Sequence, residues 1–184
     1  MWRRILTHGL VAGGVVGVPL FGLTVARNGQ PHDGVLLGYL TMLVALSAVF
    51  VAVKRQRDVA GGGVIRFWPA FGMGLGVSLV ASLCYVLAWE AALAVTQLDF
   101  GADYAKAMIA HQKAKGLSGE ALAKFAAEMD EFARQYRNPL YRLPMSFAEI
   151  FPVGLLVSLV SAGLLRNPRF WPARRAAAQP AASS

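Results

Sequence analysis

Glu90 and Glu149 are the residues best placed to do chemistry in this chain, because each lies beside or within an apolar stretch. An ionisable group at membrane depth is a functional candidate by default. Two carboxylates at one level would bind a cation or relay protons, and their repulsion would raise at least one pKa. Each also has a plainer reading. A carboxyl at the membrane boundary reaches water at little cost, and Glu149 follows Ser146 at the spacing of a capping box. The histidines offer less. His8, His32 and His111 are scattered, whereas a metal site needs three or four ligands at workable spacing. Gly61-Gly62-Gly63, flanked by Arg55, Arg57 and Arg66, could cradle a phosphate or form a turn whose arginines meet anionic headgroups. No paired-histidine motif, phosphate loop or nucleophile elbow is present. No catalytic residue, cofactor or metal is therefore expected.

Four apolar runs must position these groups. They span about Ile5–Ala26, Val35–Val53, Ala70–Val95 and Ile150–Leu165. About 20 helical residues cross a bilayer's hydrocarbon core, and backbone in lipid must satisfy its own hydrogen bonds. The expected fold is all-α, with four transmembrane helices. Composition agrees, with 56% hydrophobic and 15% charged residues against about 25% charged in soluble domains. The first run resembles a signal peptide, with Arg3 and Arg4 ahead of it and Thr24-Val25-Ala26 at its end. It is longer than an h-region of roughly 7–15 residues and contains Pro19, so a retained helix is expected. Cys84 is the only cysteine and has no disulfide partner. An inert buried thiol is its ordinary state. Glu90 falls near the outer boundary of the third run, beside Trp89 of an interfacial aromatic belt.

The formal net charge of +8 could suggest nucleic acid, but its placement speaks for membrane orientation. Arg3 and Arg4 precede the first run, and Arg27 and Asp33 offset one another after it. Lys54, Arg55, Arg57 and Arg66 face only Asp58 after the second, and Arg166, Arg169, Arg174 and Arg175 close the chain unopposed. The long connection after the third run is nearly balanced. Both termini are therefore expected in the cytoplasm and residues 99–143 outside.

The spans carry small residues four apart: Gly9, Gly13 and Gly17; Gly74, Ser78 and Ser82; Gly154, Ser158 and Ala162. Such ridges let helix backbones approach in lipid, within one bundle or across a homo-oligomer, and the spacing does not distinguish the two. Phe67, Phe71, Gly74 and Ser78 also match Phe147, Phe151, Gly154 and Ser158. That is either an inverted repeat, a transporter trait, or chance among few residue types. In the outer segment, Leu122, Phe125, Met129, Phe132 and Tyr136 form an apolar stripe after a Ser118 cap, ended by Asn138-Pro139. A weaker helix precedes it over about 101–115, so an amphipathic hairpin is expected. Ser146 and Glu149 are expected to cap the last span, and Pro152 to bend it. Residues 1–168 thus form one domain, followed by a disordered tail over 169–184.

Several of these stretches resemble a known family. They are the second run from Gly38 to Ser47, Lys54-Arg55-Gln56-Arg57-Asp58, Gly62 to Phe67, Tyr136-Arg137-Asn138-Pro139, and Phe147 to Leu155. The chain resembles, over nearly its whole length, the bacterial membrane family catalogued as domain of unknown function 4199. The resemblance implies a four-helix, multi-pass protein of the bacterial inner membrane and carries no activity or cofactor. Three classes of function stay open. A structural or accessory membrane protein, meeting the lipid bilayer and a partner through 99–143, is the most economical. A small transporter or channel subunit using Glu90 and Glu149 comes second, and an enzyme third.

Overall fold

The computed structural model describes residues 2–26 and 35–172. They form α1 (Trp2–Ala26), α2 (Val35–Ala60), α3 (Phe67–Thr96), α4 (Phe100–Ala114), α5 (Gly119–Tyr136) and α6 (Pro139–Leu165). Among the described residues there is no strand. Three helices, α1, α3 and α6, are long and apolar enough to cross a membrane, with 25, 30 and 27 residues. At 1.5 Å per residue, α3 is about 45 Å long, against a hydrocarbon core of about 30 Å. It therefore extends well beyond what one crossing requires. Arg27, His32 and Asp33 lie outside the described residues.

α1 and α3 pack side by side and run parallel. Gly9 faces Val80, Gly13 faces Cys84 and Gly17 faces Ala88, so each step of four along α1 is matched by four along α3. A Cβ on Gly9 would lie 2.5 Å from that of Val80. One turn down, Ile5 fills the notch left by Gly76. The helices approach this closely because one surface has no side chains, which multiplies dispersion contacts where lipid provides no hydrophobic drive.

α3 and α6 are antiparallel across a polar seam. The Ser78 hydroxyl reaches the Gly154 carbonyl and the Ser158 hydroxyl, both at 3.1 Å, and Ser158 donates to Gly154 at 2.7 Å. Gly74 in turn lies against Ser158. The matched positions therefore touch reciprocally. Phe67 stacks on Phe71 at one end, as Phe147 stacks on Phe151 at the other. Ser82, also on this face, is buried with its hydroxyl unpartnered.

The other contacts fix the remaining directions. Arg4, near the start of α1, donates to Gln56 near the end of α2 at 2.7 Å. Arg57, wholly buried, donates to Asp58 at 2.8 Å and to the Phe170 and Trp171 carbonyls at 2.8 and 2.5 Å. One end of the bundle therefore collects the start of α1, the end of α2, the start of α3 and the chain after α6.

Three local expectations are corrected. The last long helix begins at Pro139, because Asn138 accepts from the Leu140 amide at 3.0 Å and proline suits the first helical position. Asn138-Pro139 thus starts α6 as well as ending α5, and the helix runs on through Pro144 and Pro152. Ser146 and Glu149 lie inside it, so they form no capping box. Ser118 stands at the start of α5 but its hydroxyl makes no cap bond. The chain just after 169 is also held: Trp171 lies under Lys54, 5.8 Å from the ring centre, and near Phe50. Residues 173–184 lie outside the described residues. The triple glycine closes α2, with the Gly61 and Gly63 amides both on the Arg57 carbonyl at 3.1 Å. Those amides are therefore engaged in the chain's own turn.

Candidate functional site

At the opposite end, four helices converge on Glu90. Its carboxylate takes two bonds from the Arg142 guanidinium, Nε to Oε1 at 2.6 Å and a second from Nη2 to Oε2. Bidentate geometry makes this the strong form of an ion pair. Arg142 also reaches the Tyr136 carbonyl at 3.3 Å and lies 5.8 Å from its ring centre. Beside Glu90, the Trp89 indole donates to the Tyr136 hydroxyl at 3.0 Å, and Ser146 lies near that hydroxyl. Burial pushes the Tyr136 hydroxyl above its ordinary pKa, opposed by the Trp89 bond and the nearby Ser146. It stays neutral, joining α3 and α5 through one oxygen.

Aromatic rings carry the connection outward. Phe100 meets Trp89 edge-on at 5.1 Å and Tyr136 at 5.4 Å, while Tyr104 meets Phe132 at 5.5 Å. Such pairs are worth about 0.5–1.5 kcal/mol each beyond area burial. Gly101 lets the backbones close up, since a Cβ there would lie 3.1 Å from that of Tyr136. α4 and α5 are thus packed on each other and tied to the bundle.

Asp99 supplies the last link. Its carboxylate caps α4 through the Ala102 amide at 3.2 Å and pairs with Arg137. The Arg137 bond holds the carboxyl below its usual 3.8; partial burial opposes this, and the Ala102 amide and Lys106 assist. The sign follows from the depressed value. This contribution is complete above about pH 4 and lost as pH falls through the folded value. Asp99→Asn retains a capping oxygen but removes the charge. Hydrogen-exchange protection of the first turn of α4 is expected to fall on acidification in the native chain and not in this variant. Equal acid sensitivity in both would remove Asp99 from the account.

Together Glu90, Gln97, Asp99, Tyr136, Arg137 and Arg142 line a cleft of about 310 Å³. Each arginine is matched by a carboxylate, so the cleft has little net charge. Glu149, on α6, lies near the Tyr85 hydroxyl of α3. Glu90 and Glu149 therefore flank Tyr136 without being joined by a hydrogen bond or ion pair. Among the described residues no group of three metal-ligating side chains gathers. His111 is exposed on α4, and His8 lies at the far end of α1.

The sequence marks Arg142 only as one charge of the outer segment and not as a partner of Glu90, yet a signal for the pairing exists. Once α6 starts at Pro139, Arg142, Ser146 and Glu149 fall four and three residues apart, on one helical face. Placing the helix start at Ser146 hid that stripe.

An all-helical membrane protein is thus defined, built on a small-residue bundle with a paired-charge cluster at one end. The profile of the family described as Protein of unknown function (DUF4199) matches residues 7–167, and the chain belongs to that family. No curated protein and no solved structure matches it.

Proposed function

We propose that this is a four-span protein of a bacterial inner membrane that acts as a structural or accessory component, presenting α4 and α5 to a partner outside the membrane. α2 is the fourth span in this reading: it is 26 residues long and packs against α1, α3 and α6. Lys54, Arg55, Arg57, Arg66, Arg166 and Arg169 gather at one end of the bundle, which the positive-inside rule places in the cytoplasm with both termini.

The Glu90–Arg142 pair carries the choice among functions. A carboxylate serving ion or proton transfer must exchange its partner during the cycle. Here Glu90 is held by two bonds from Arg142, and Glu149 lies apart from that pair, near the Tyr85 hydroxyl. The ion pair instead ties α3 to α6, and Arg142 carries it on to Tyr136 at the end of α5, which favours a platform.

Photo-crosslinkers at Lys124 and Glu128, on the exposed side of α5, test this in intact cells. One recurrent protein is expected from both positions and not from Leu83 on the bundle. Purified protein in proteoliposomes is expected to show no proton or cation flux that Glu90→Gln removes. Glu90-dependent flux would replace this reading with the transporter subunit.

A further inference from the structure

The cytoplasmic-end charges are not all spent on orientation. Arg3, Arg4 and Arg55 converge with His8, Gln56 and Thr7 on a cleft of about 430 Å³ between α1 and α2. That size lies within the roughly 300–1,000 Å³ of small-ligand sites. Ala52, fully buried, lies at its base. Among the described residues, none of these three arginines makes an ion pair. Asp58, the nearest acid along α2, is taken by Lys54 and Arg57. Arg3 and Arg4 also stand in the first turn of α1, where the helix dipole favours an anion and no acidic residue is present. Gln56 holds one Arg4 nitrogen at 2.7 Å, which orients the guanidinium and leaves its other donors free.

A second observation places this cleft among lipids. Trp2, Trp68 and Trp171 are all at this end of the bundle and are 70%, 74% and 64% exposed. Exposed tryptophans at one end of a membrane bundle suit the headgroup zone of the interface. The unpaired guanidiniums stand at that same end.

We infer that the cleft between α1 and α2 binds the phosphate of an anionic membrane phospholipid, with Arg4 and Arg55 as its principal ligands. Guanidinium forks suit phosphate oxygens, and the absence of a local carboxylate selects a net negative headgroup over a zwitterionic one. The proposal is independent of any partner on α4 and α5.

Native mass spectrometry of the full chain in a zwitterionic detergent tests it, with phosphatidylglycerol, phosphatidylcholine and soluble glycerol phosphate as probes. One saturable phosphatidylglycerol is expected, bound more tightly than phosphatidylcholine. Arg4→Gln and Arg55→Gln should each weaken it about fivefold, equivalent to about 1 kcal/mol per basic residue near a membrane surface. Arg66→Gln removes a charge at the same end but outside the cleft, and should leave this affinity unchanged. The altered side chains are exposed, so melting temperatures without lipid should match the native chain. An equal loss from Arg66→Gln would show diffuse attraction and overturn the site. Equal binding of phosphatidylcholine would overturn the selection for net charge, and equal binding of glycerol phosphate would overturn the lipid as the source.

Discussion

Arg142→Ala is expected to destabilise the protein by about 2–3 kcal/mol and to loosen α5, with α4 packed on it, at its Tyr136 end. Breaking a fully buried ion pair costs about 3–5 kcal/mol. Here Arg142 and Glu90 remain 14% and 24% exposed, so water recovers part of that. The loss comes mainly from Glu90, left charged at the membrane boundary with no donor. Glu90→Gln should cost less, because an amide oxygen still accepts from Arg142 and an uncharged group is easier to hold at that depth. The double variant Glu90→Leu/Arg142→Leu should recover most of the stability, since an apolar pair leaves no charge uncompensated. Thermal melting in detergent reports the first effect. Hydrogen exchange across Phe100–Ala114 and Gly119–Tyr136 reports the second. If Arg142→Ala melts like Leu83→Ile, a volume-conserving change at a lipid-facing position, the ion pair does not hold the platform. The series also separates a platform from a transport site. A platform loses stability and partner together in Arg142→Ala, while a transport carboxylate loses activity in Glu90→Gln with stability intact.

The helices were legible where one physical signal governs them. Unbroken apolar runs located α1 and α3 to within a few residues, because hydrophobicity over a span is nearly sufficient in lipid. The amphipathic stripe from Leu122 to Tyr136 located α5 for a similar reason, its apolar side lying on α4. The start of α6 is masked in the sequence because Asn138-Pro139 carries two meanings: it stops one helix and starts the next. Without a helix that starts at Pro139, Arg142 falls in a loop and Glu90 has no partner. Arg57 was also illegible. Its three bonds reach Asp58 and the backbone carbonyls of Phe170 and Trp171, and carbonyls have no sequence signature. Pairing between distant residues is set by how helices pack, which periodicity along one helix does not contain.

Gly13→Leu is expected to be the most damaging single change in the bundle, costing about 3 kcal/mol, the upper end of ordinary overpacking. The Gly13 backbone lies directly against the Cys84 side chain, so even one added carbon overlaps it. A four-carbon side chain would push α1 off α3 and open the contacts of Gly9 with Val80 and of Gly17 with Ala88. Gly13→Ala should be intermediate, because Cys84 must shift to admit a methyl group. The informative variant moves the notch across the interface. Gly13→Ala/Cys84→Gly places the small residue on α3 and restores the space. Contacting residues couple by about 0.5–3 kcal/mol, so the pair should be more stable than the sum of the single changes predicts. Simple additivity in detergent melting curves would mean that α1 and α3 do not meet at this point. Gly14 makes the control: a Cβ there meets nothing within 4 Å. Gly14→Ala, one residue away on the open side of the same helix, should leave stability unchanged or raise it, since alanine favours a helix over glycine by about 1 kcal/mol. Opposite outcomes at adjacent glycines would tie the four-residue spacing to contact between these two helices, because helix propensity alone treats Gly13 and Gly14 alike.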